Sequence, residues 1–219
     1  MVQLTPTDTL AALARVKAVP VIRAAKLEHA VRAALWLAEA GMGVVEMTLT
    51  TPGVFDGIAE LRKRPELIVG TGTILSAADA RQAIAAGSQF LVTPCWVDGV
   101  IELARAANIA ALIGAGTASE IWRAHCAGAS AVKVFPAATL GGPAFLRQVR
   151  AVFPDVPLMP TGGVTIETAA DYLAAGALCA GLGSELASQK LLEAGDKAAV
   201  VDKARKLLAR LSPPKTIEV

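Results

Sequence analysis

Short segments rich in β-branched and other apolar residues recur eight times along this 219-residue chain, each separated from the next by an Ala-rich stretch with helical spacing. Strands that alternate with helices are joined by crossovers and therefore pair in parallel. The segments are Val19–Ala24, Val44–Leu49, Leu67–Thr73, Phe90–Pro94, Ala110–Gly114, Ala131–Pro136, Leu158–Thr161 and Leu178–Gly183, with ends defined to about 2 to 4 residues. Eight such units in roughly 200 to 250 residues suit an α/β fold of the (β/α)8 TIM-barrel type. An open doubly wound sheet fits the short, evenly spaced units less well.

The punctuation agrees with this count. Ala-Gly pairs at Ala40-Gly41, Ala86-Gly87, Ala127-Gly128 and Ala175-Gly176 each precede a strand, and glycine there supplies a left-handed helix end. Thr51-Pro52, Ser76, Thr117 and Thr165 are expected to open helices by accepting from free N–H groups. An extra N-terminal helix is expected over about Pro6 to Val16. Another, about Lys197 to Leu211, should follow the last barrel unit and stop at Pro213-Pro214. No linker, repeat of another kind or composition shift divides the chain, so residues 1–219 read as one domain.

Aromatics make up only 4% of the chain against 54% apolar residues, so its core must be built from Ala, Val, Leu and Ile, as buried parallel strands and their helices require. The formal net charge is +2, from 21 basic and 19 acidic residues spread along the chain. That leaves no footprint for nucleic acid or a lipid surface and favours a small-molecule partner. Neither a signal segment nor a run of roughly 20 apolar residues is present, so no membrane partner is expected. Cys95, Cys126 and Cys179 are odd in number and widely spaced, which reads as reduced thiols in a cytoplasmic protein.

Barrel enzymes gather their chemistry at the C-terminal ends of the strands. Lys133 is a lone cation within Ala131-Val132-Lys133-Val134-Phe135-Pro136. If Val132 and Val134 meet the helices, alternation aims Lys133 into the barrel. Burial disfavours an ammonium, and a free amine is a nucleophile toward a ketone; the plainer reading is a structural ion pair. Glu46, within Val44-Val45-Glu46-Met47-Thr48-Leu49, is a second lone charge, suited to exchanging a proton with a substrate hydroxyl or simply to pairing with Lys133.

Gly-rich stretches follow the seventh and eighth strands, Thr161-Gly162-Gly163-Val164-Thr165 and Gly181-Leu182-Gly183-Ser184, where close-approaching N–H groups can hold phosphate. Thr71-Gly72-Thr73 could donate to a carboxylate, with Arg23 supplying charge or bracing Glu46. Cys95 and Trp96 could line a pocket mouth. His29, His125, Trp36 and Trp122 fall on helices, and His125-Cys126 lacks metal-ligand spacing. Neither a metal nor an organic cofactor is called for.

Taken in order, Val19-Pro20-Val21-Ile22-Arg23, Val45-Glu46-Met47-Thr48, Val69-Gly70-Thr71-Gly72-Thr73, Val92-Thr93-Pro94, Val132-Lys133-Val134-Phe135-Pro136, Pro160-Thr161-Gly162-Gly163 and Gly181-Leu182-Gly183-Ser184 resemble the class I 2-keto-3-deoxy-6-phosphogluconate (KDPG) aldolase and 4-hydroxy-2-oxoglutarate (KHG) aldolase family. The resemblance implies Lys133 as the Schiff-base lysine and Glu46 as general acid/base. It implies Arg23 and Thr73 at the pyruvate end, Gly162, Gly163 and Ser184 at the phosphate, Pro94 and Phe135 as pocket walls, and a homotrimer acting on a keto-acid substrate. Two departures bear on substrate choice: Thr50 stands where some members carry arginine, and Ile113-Gly114-Ala115-Gly116-Thr117 replaces a common Pro-Gly. The galactonate epimer and KHG remain open as substrates. A phosphosugar isomerase or epimerase using Glu46 as base, or a non-catalytic phosphometabolite-binding barrel, is the reading from a different class.

Overall fold

The computed structural model describes residues 4–212; Pro213 and Pro214 lie outside them. Eight parallel strands run β1 (Ala18–Ile22), β2 (Val44–Thr48), β3 (Ile68–Gly72), β4 (Phe90–Val92), β5 (Ala110–Ala115), β6 (Ala131–Val134), β7 (Leu158–Pro160) and β8 (Ala180–Leu182). Their order is β7-β6-β5-β4-β3-β2-β1-β8. A parallel bridge between Thr161 and Gly181 and a 2.8 Å bond from the Leu178 N–H to the Leu158 carbonyl bring β7 to β8 and close the barrel.

Alternation along these strands separates two cores. Val45, Met47, Val69, Leu91, Val132 and Val134 face the helices, whereas Val19, Val44, Phe90, Val92, Ala110, Leu112, Ala131 and Met159 fill the interior. The expectation that the valines flanking Lys133 pack outward therefore holds. Helix α1 (Pro6–Val16) occupies the expected span and adds Ala12 and Leu13 to the interior cluster. It plugs the N-terminal end, and full burial of Leu13 contributes on the order of 1.5–3 kcal/mol.

The remaining helices are α2 (Leu27–Glu39), α3 (Val54–Leu61), α4 (Ala77–Ala85), α5 (Val100–Ala106), α6 (Ala118–Cys126), α7 (Gly142–Val152), α8 (Ala169–Ala174), α9 (Gln189–Ala194) and α10 (Lys197–Leu211). Gly41, Gly87, Gly128 and Gly176, all at positive φ, end α2, α4, α6 and α8 as the Ala-Gly pairs implied. Ser76 and Thr117 cap α4 and α6, the latter within a capping box to Glu120.

Three expectations need correction. Thr51 does not cap α3, which starts from Gly53 at φ 69°; its buried hydroxyl instead accepts from the Ala24 N–H at 3.1 Å, tying the ends of β1 and β2 together. Thr165 accepts from the Thr168 N–H at 3.2 Å in a turn that precedes α8, and the N-cap position falls to Thr168. Finally, α10 does not follow a finished barrel: it packs against α2 and α8 and is itself the eighth helix of the outer ring. The short α9, capped by Ser188, is the additional element between β8 and α10.

Candidate active site

At the C-terminal ends of the strands a cavity of about 650 Å³ opens, walled by the ends of β1, β7 and β8 and the loops that follow them. Beneath it, register sets Glu46 of β2 beside Val21 of β1 and Gly70 of β3, and Lys133 of β6 beside Gly114 of β5 and Met159 of β7. Both charged side chains point inward and meet across the barrel, with Lys133 Nζ 3.2 Å from Glu46 Oε1. Glu46 is fully buried and Lys133 is 4% exposed.

Glycines make room for this pair. A Cβ on Gly72 would overlap Glu46 Oε1, and one on Gly114 would overlap the Pro94 carbonyl group, where the chain after β4 folds in beside Lys133. A larger residue at either position would fill the space that the carboxylate or that loop occupies.

The pair is incompletely satisfied. Glu46 Oε2 is buried and has no hydrogen-bond partner among the described residues. A structural ion pair is favourable only when its remaining lone pairs are also satisfied, and a buried acceptor left bare costs about 1–3 kcal/mol. Glu46 therefore keeps one carboxylate oxygen available at the floor of the site. Cys179, also in the interior, is held as a neutral thiol: burial, and secondarily the Glu46 charge, push its pKa far up. This makes the thiol a poor nucleophile.

The other expected residues divide between the mouth and the floor. Arg23, Phe135, Gly162, Gly163 and Ser184 all line the cavity. Phe135 is 40% exposed and its ring centroid lies 5.8 Å from Lys133 Nζ, so it forms a cavity wall beside the amine. Gly162 and Gly163 lie at φ 90° and 74°, conformations that glycine adopts without strain. Arg23 is exposed and has no ion pair or side-chain hydrogen bond among the described residues, so it does not brace Glu46. Thr73, at φ 61°, and the half-buried Pro94 follow β3 and β4 and are not part of the mouth lining.

Thr71 faces away from the barrel, where its hydroxyl pairs with that of Ser88. The donor set expected from Thr71-Gly72-Thr73 is thus reduced by strand parity. Cys95 and Trp96 also lie away from the cavity lining: the Trp96 indole donates to Asp98 at 2.6 Å and lies 4.0 Å from the Arg123 guanidinium. Trp36 is packed as expected, but Trp122 is 48% exposed and stacks on Phe153.

Glu185 and Gln189 line the mouth without having been singled out from the sequence. Gln189 opens α9, and its Oε1 accepts from the Ala25 N–H at 3.1 Å, fastening this helix to the loop after β1. The Ser188 cap was the available signal. Among the described residues no three His, Cys, Asp or Glu side chains converge as metal ligands, and no helix is long and apolar enough to cross a membrane.

The fold and floor define a barrel enzyme with a buried lysine–carboxylate pair beneath an open, glycine-lined mouth. The family described as KDPG and KHG aldolase matches residues 10–203. A 2-dehydro-3-deoxy-phosphogluconate aldolase of Pseudomonas aeruginosa is 36% identical over 207 residues, covering 94% of this chain and 93% of that protein. The KHG/KDPG aldolase of Escherichia coli strain K12 is 38% identical over 189 residues, covering 85% and 88%. Among solved structures, the KDPG aldolase from Legionella pneumophila with pyruvate captured at low pH as a covalent carbinolamine superposes with a TM-score of 0.84 at 26% identity, covering 94% of this chain and 99% of that one. This chain belongs to the KDPG and KHG aldolase family, and it is a lyase.

Proposed function

We propose that this chain is a single-domain class I aldolase that reversibly cleaves 2-keto-3-deoxy-6-phosphogluconate to pyruvate and glyceraldehyde 3-phosphate. The observation that carries the reading is the buried contact of 3.2 Å between Lys133 Nζ and Glu46 Oε1, with the second carboxylate oxygen unpartnered among the described residues. The names of the relatives supply the substrate class.

In this mechanism Lys133 passes a proton to Glu46 and attacks the C2 ketone; Glu46 returns that proton to the departing hydroxyl, so loss of water gives a protonated imine that draws electrons from the C3–C4 bond and leaves Glu46 ionised. Glu46 takes the C4 hydroxyl proton as that bond breaks. The aldehyde leaves, and an enamine remains on Lys133. Returning a proton to C3 and hydrolysing the imine frees pyruvate.

Arg23 and Thr73 serve the pyruvate carboxylate, and Pro94 and Phe135 bound the reacting carbons. Gly162, Gly163 and Ser184 hold the phosphate, so binding energy remote from the breaking bond aligns it. By family resemblance the enzyme is a cytoplasmic homotrimer of sugar-acid catabolism, of the Entner-Doudoroff type; sedimentation of the purified protein tests the trimer.

Coupled assay of pyruvate release from KDPG, its galactonate epimer and KHG tests the substrate. The highest kcat/KM is expected for KDPG. Turnover of KHG alone would overturn the phosphorylated-substrate reading, and turnover of none would remove the aldolase assignment.

A further inference from the structure

Arg23 is the sole cation among the described residues that line the mouth, and its guanidinium has no ion pair or side-chain hydrogen bond among them. The backbone that carries it is, by contrast, pinned by side chains from neighbouring elements. The Ile22 carbonyl accepts from Thr48 Oγ1 at 3.0 Å, and the Ala24 N–H donates to Thr51 Oγ1 at 3.1 Å. These two peptide groups flank the Arg23 Cα, so together they restrain its φ and ψ. The next N–H, of Ala25, donates to Gln189 Oε1 at 3.1 Å. Both threonines reach in from the β2 side of β1, whereas Gln189 reaches in from the β8 side. The Gln189 amide is itself oriented: the Glu193 carboxylate can only accept, so it takes the Nε2 donor at 2.7 Å and turns Oε1 toward Ala25. Helix α9 has a separate anchor, since Arg32 donates to the Leu192 carbonyl at 2.7 Å and Leu192 is fully buried.

We propose that Gln189 is a positioning residue that, opposite Thr51, clamps the loop after β1 so that Arg23 is held ready for the pyruvate carboxylate. This rests on the aldolase reading and on the assignment of Arg23 to that carboxylate. An arginine on an unrestrained loop loses backbone and rotamer freedom together when it grips an anion. With the backbone already held, only the side chain is ordered on binding, and the anion is bound more tightly. Gln189 therefore acts on pyruvate affinity through Arg23, and the chemistry of Lys133 and Glu46 beneath is left as it is.

The test is borohydride trapping of pyruvate on Lys133 over a range of pyruvate concentrations, in the wild type, Gln189→Met, Arg23→Ala and the double variant. Methionine keeps the length of the glutamine and removes the acceptor. In Gln189→Met the half-saturating pyruvate concentration should rise about threefold, with the adduct yield at saturation unchanged. Arg23→Ala should raise it further, and adding Gln189→Met to Arg23→Ala should raise it no more, because the two act as one unit. An unchanged half-saturation in Gln189→Met beside a raised one in Arg23→Ala would overturn this inference alone. So would an equal rise in the Arg23→Ala background, since Gln189 would then act independently of Arg23. No rise in Arg23→Ala defeats the assignment of Arg23 and the inference with it, whereas no adduct on the wild type defeats the aldolase reading beneath both.

Discussion

Lys133 Nζ and Glu46 Oε1 stand 3.2 Å apart although their residues are 87 positions apart in the chain. β6 and β2 lie on different sides of the closed barrel, so this contact exists only because both side chains point into it. With Glu46 as the proton carrier, Glu46→Gln keeps the shape and hydrogen-bonding reach of the side chain but removes its basicity. Trapping of pyruvate on Lys133 should slow yet still reach one adduct per chain, while kcat for cleavage falls about 10²- to 10⁴-fold. Rapid-quench measurement of both steps checks this, and an unchanged kcat would remove Glu46 from the mechanism.

Gly72 is predicted to matter through Glu46. The methyl of Gly72→Ala would occupy the position of Glu46 Oε1, forcing the carboxylate away from Lys133. A displacement of about 1 Å can cost on the order of 10²-fold in rate. The expected result is a large fall in kcat with circular dichroism retained. Wild-type kinetics in this variant would show that the carboxylate position is not critical.

Ser184 sits at the rim near Arg23 and Glu185. Ser184→Glu adds a second carboxylate at the rim and should raise KM for KDPG by about tenfold or more, through like-charge repulsion in a partly desolvated site. Pyruvate trapping on Lys133 should be unaffected. An unchanged KM would place the phosphate elsewhere.

The cysteines give an independent check on the interior. Cys95 and Cys126 are exposed and Cys179 is buried, so a thiol reagent should label two positions in the native protein and three after denaturation. The folded-state pKa of Cys179 is raised above its ordinary value of 9.0, so the unfolded chain loses that proton first as pH rises. Stability is therefore unaffected by this group below pH 9.0 and declines above it. Cys179→Ala should flatten that alkaline decline in denaturant titrations, and an identical slope would contradict the assigned burial.

The barrel was legible because its signals are local. The eight apolar segments, the Ala-Gly ends and both long flanking helices, α1 and α10, follow from periodicity and capping alone. The inward direction of Lys133 followed from its valine neighbours. Thr71 could have been excluded by the same alternation, since Gly72 and Thr71 cannot face one side.

What escaped depends on tertiary placement. Thr51 has the composition of an N-cap but spends its hydroxyl on Ala24 across two strands. α10 closes the ring because of where β8 ends, which no local pattern records. Six-residue α9 carries too short a repeat to stand out, so Gln189 went unnoticed. The juxtaposition of Lys133 with Glu46 was accessible through family resemblance and strand position, whereas their 3.2 Å contact and the bare Oε2 required the fold.

The covalent role of Lys133 is the central claim, and intact-protein mass after incubation with pyruvate and borohydride tests it most directly. The wild type should gain one reduced pyruvate adduct, mapping to Lys133, while a folded Lys133→Ala variant gains none and cleaves no KDPG. An adduct of equal yield on Lys133→Ala, or none on the wild type under conditions where it turns over KDPG, would contradict the account.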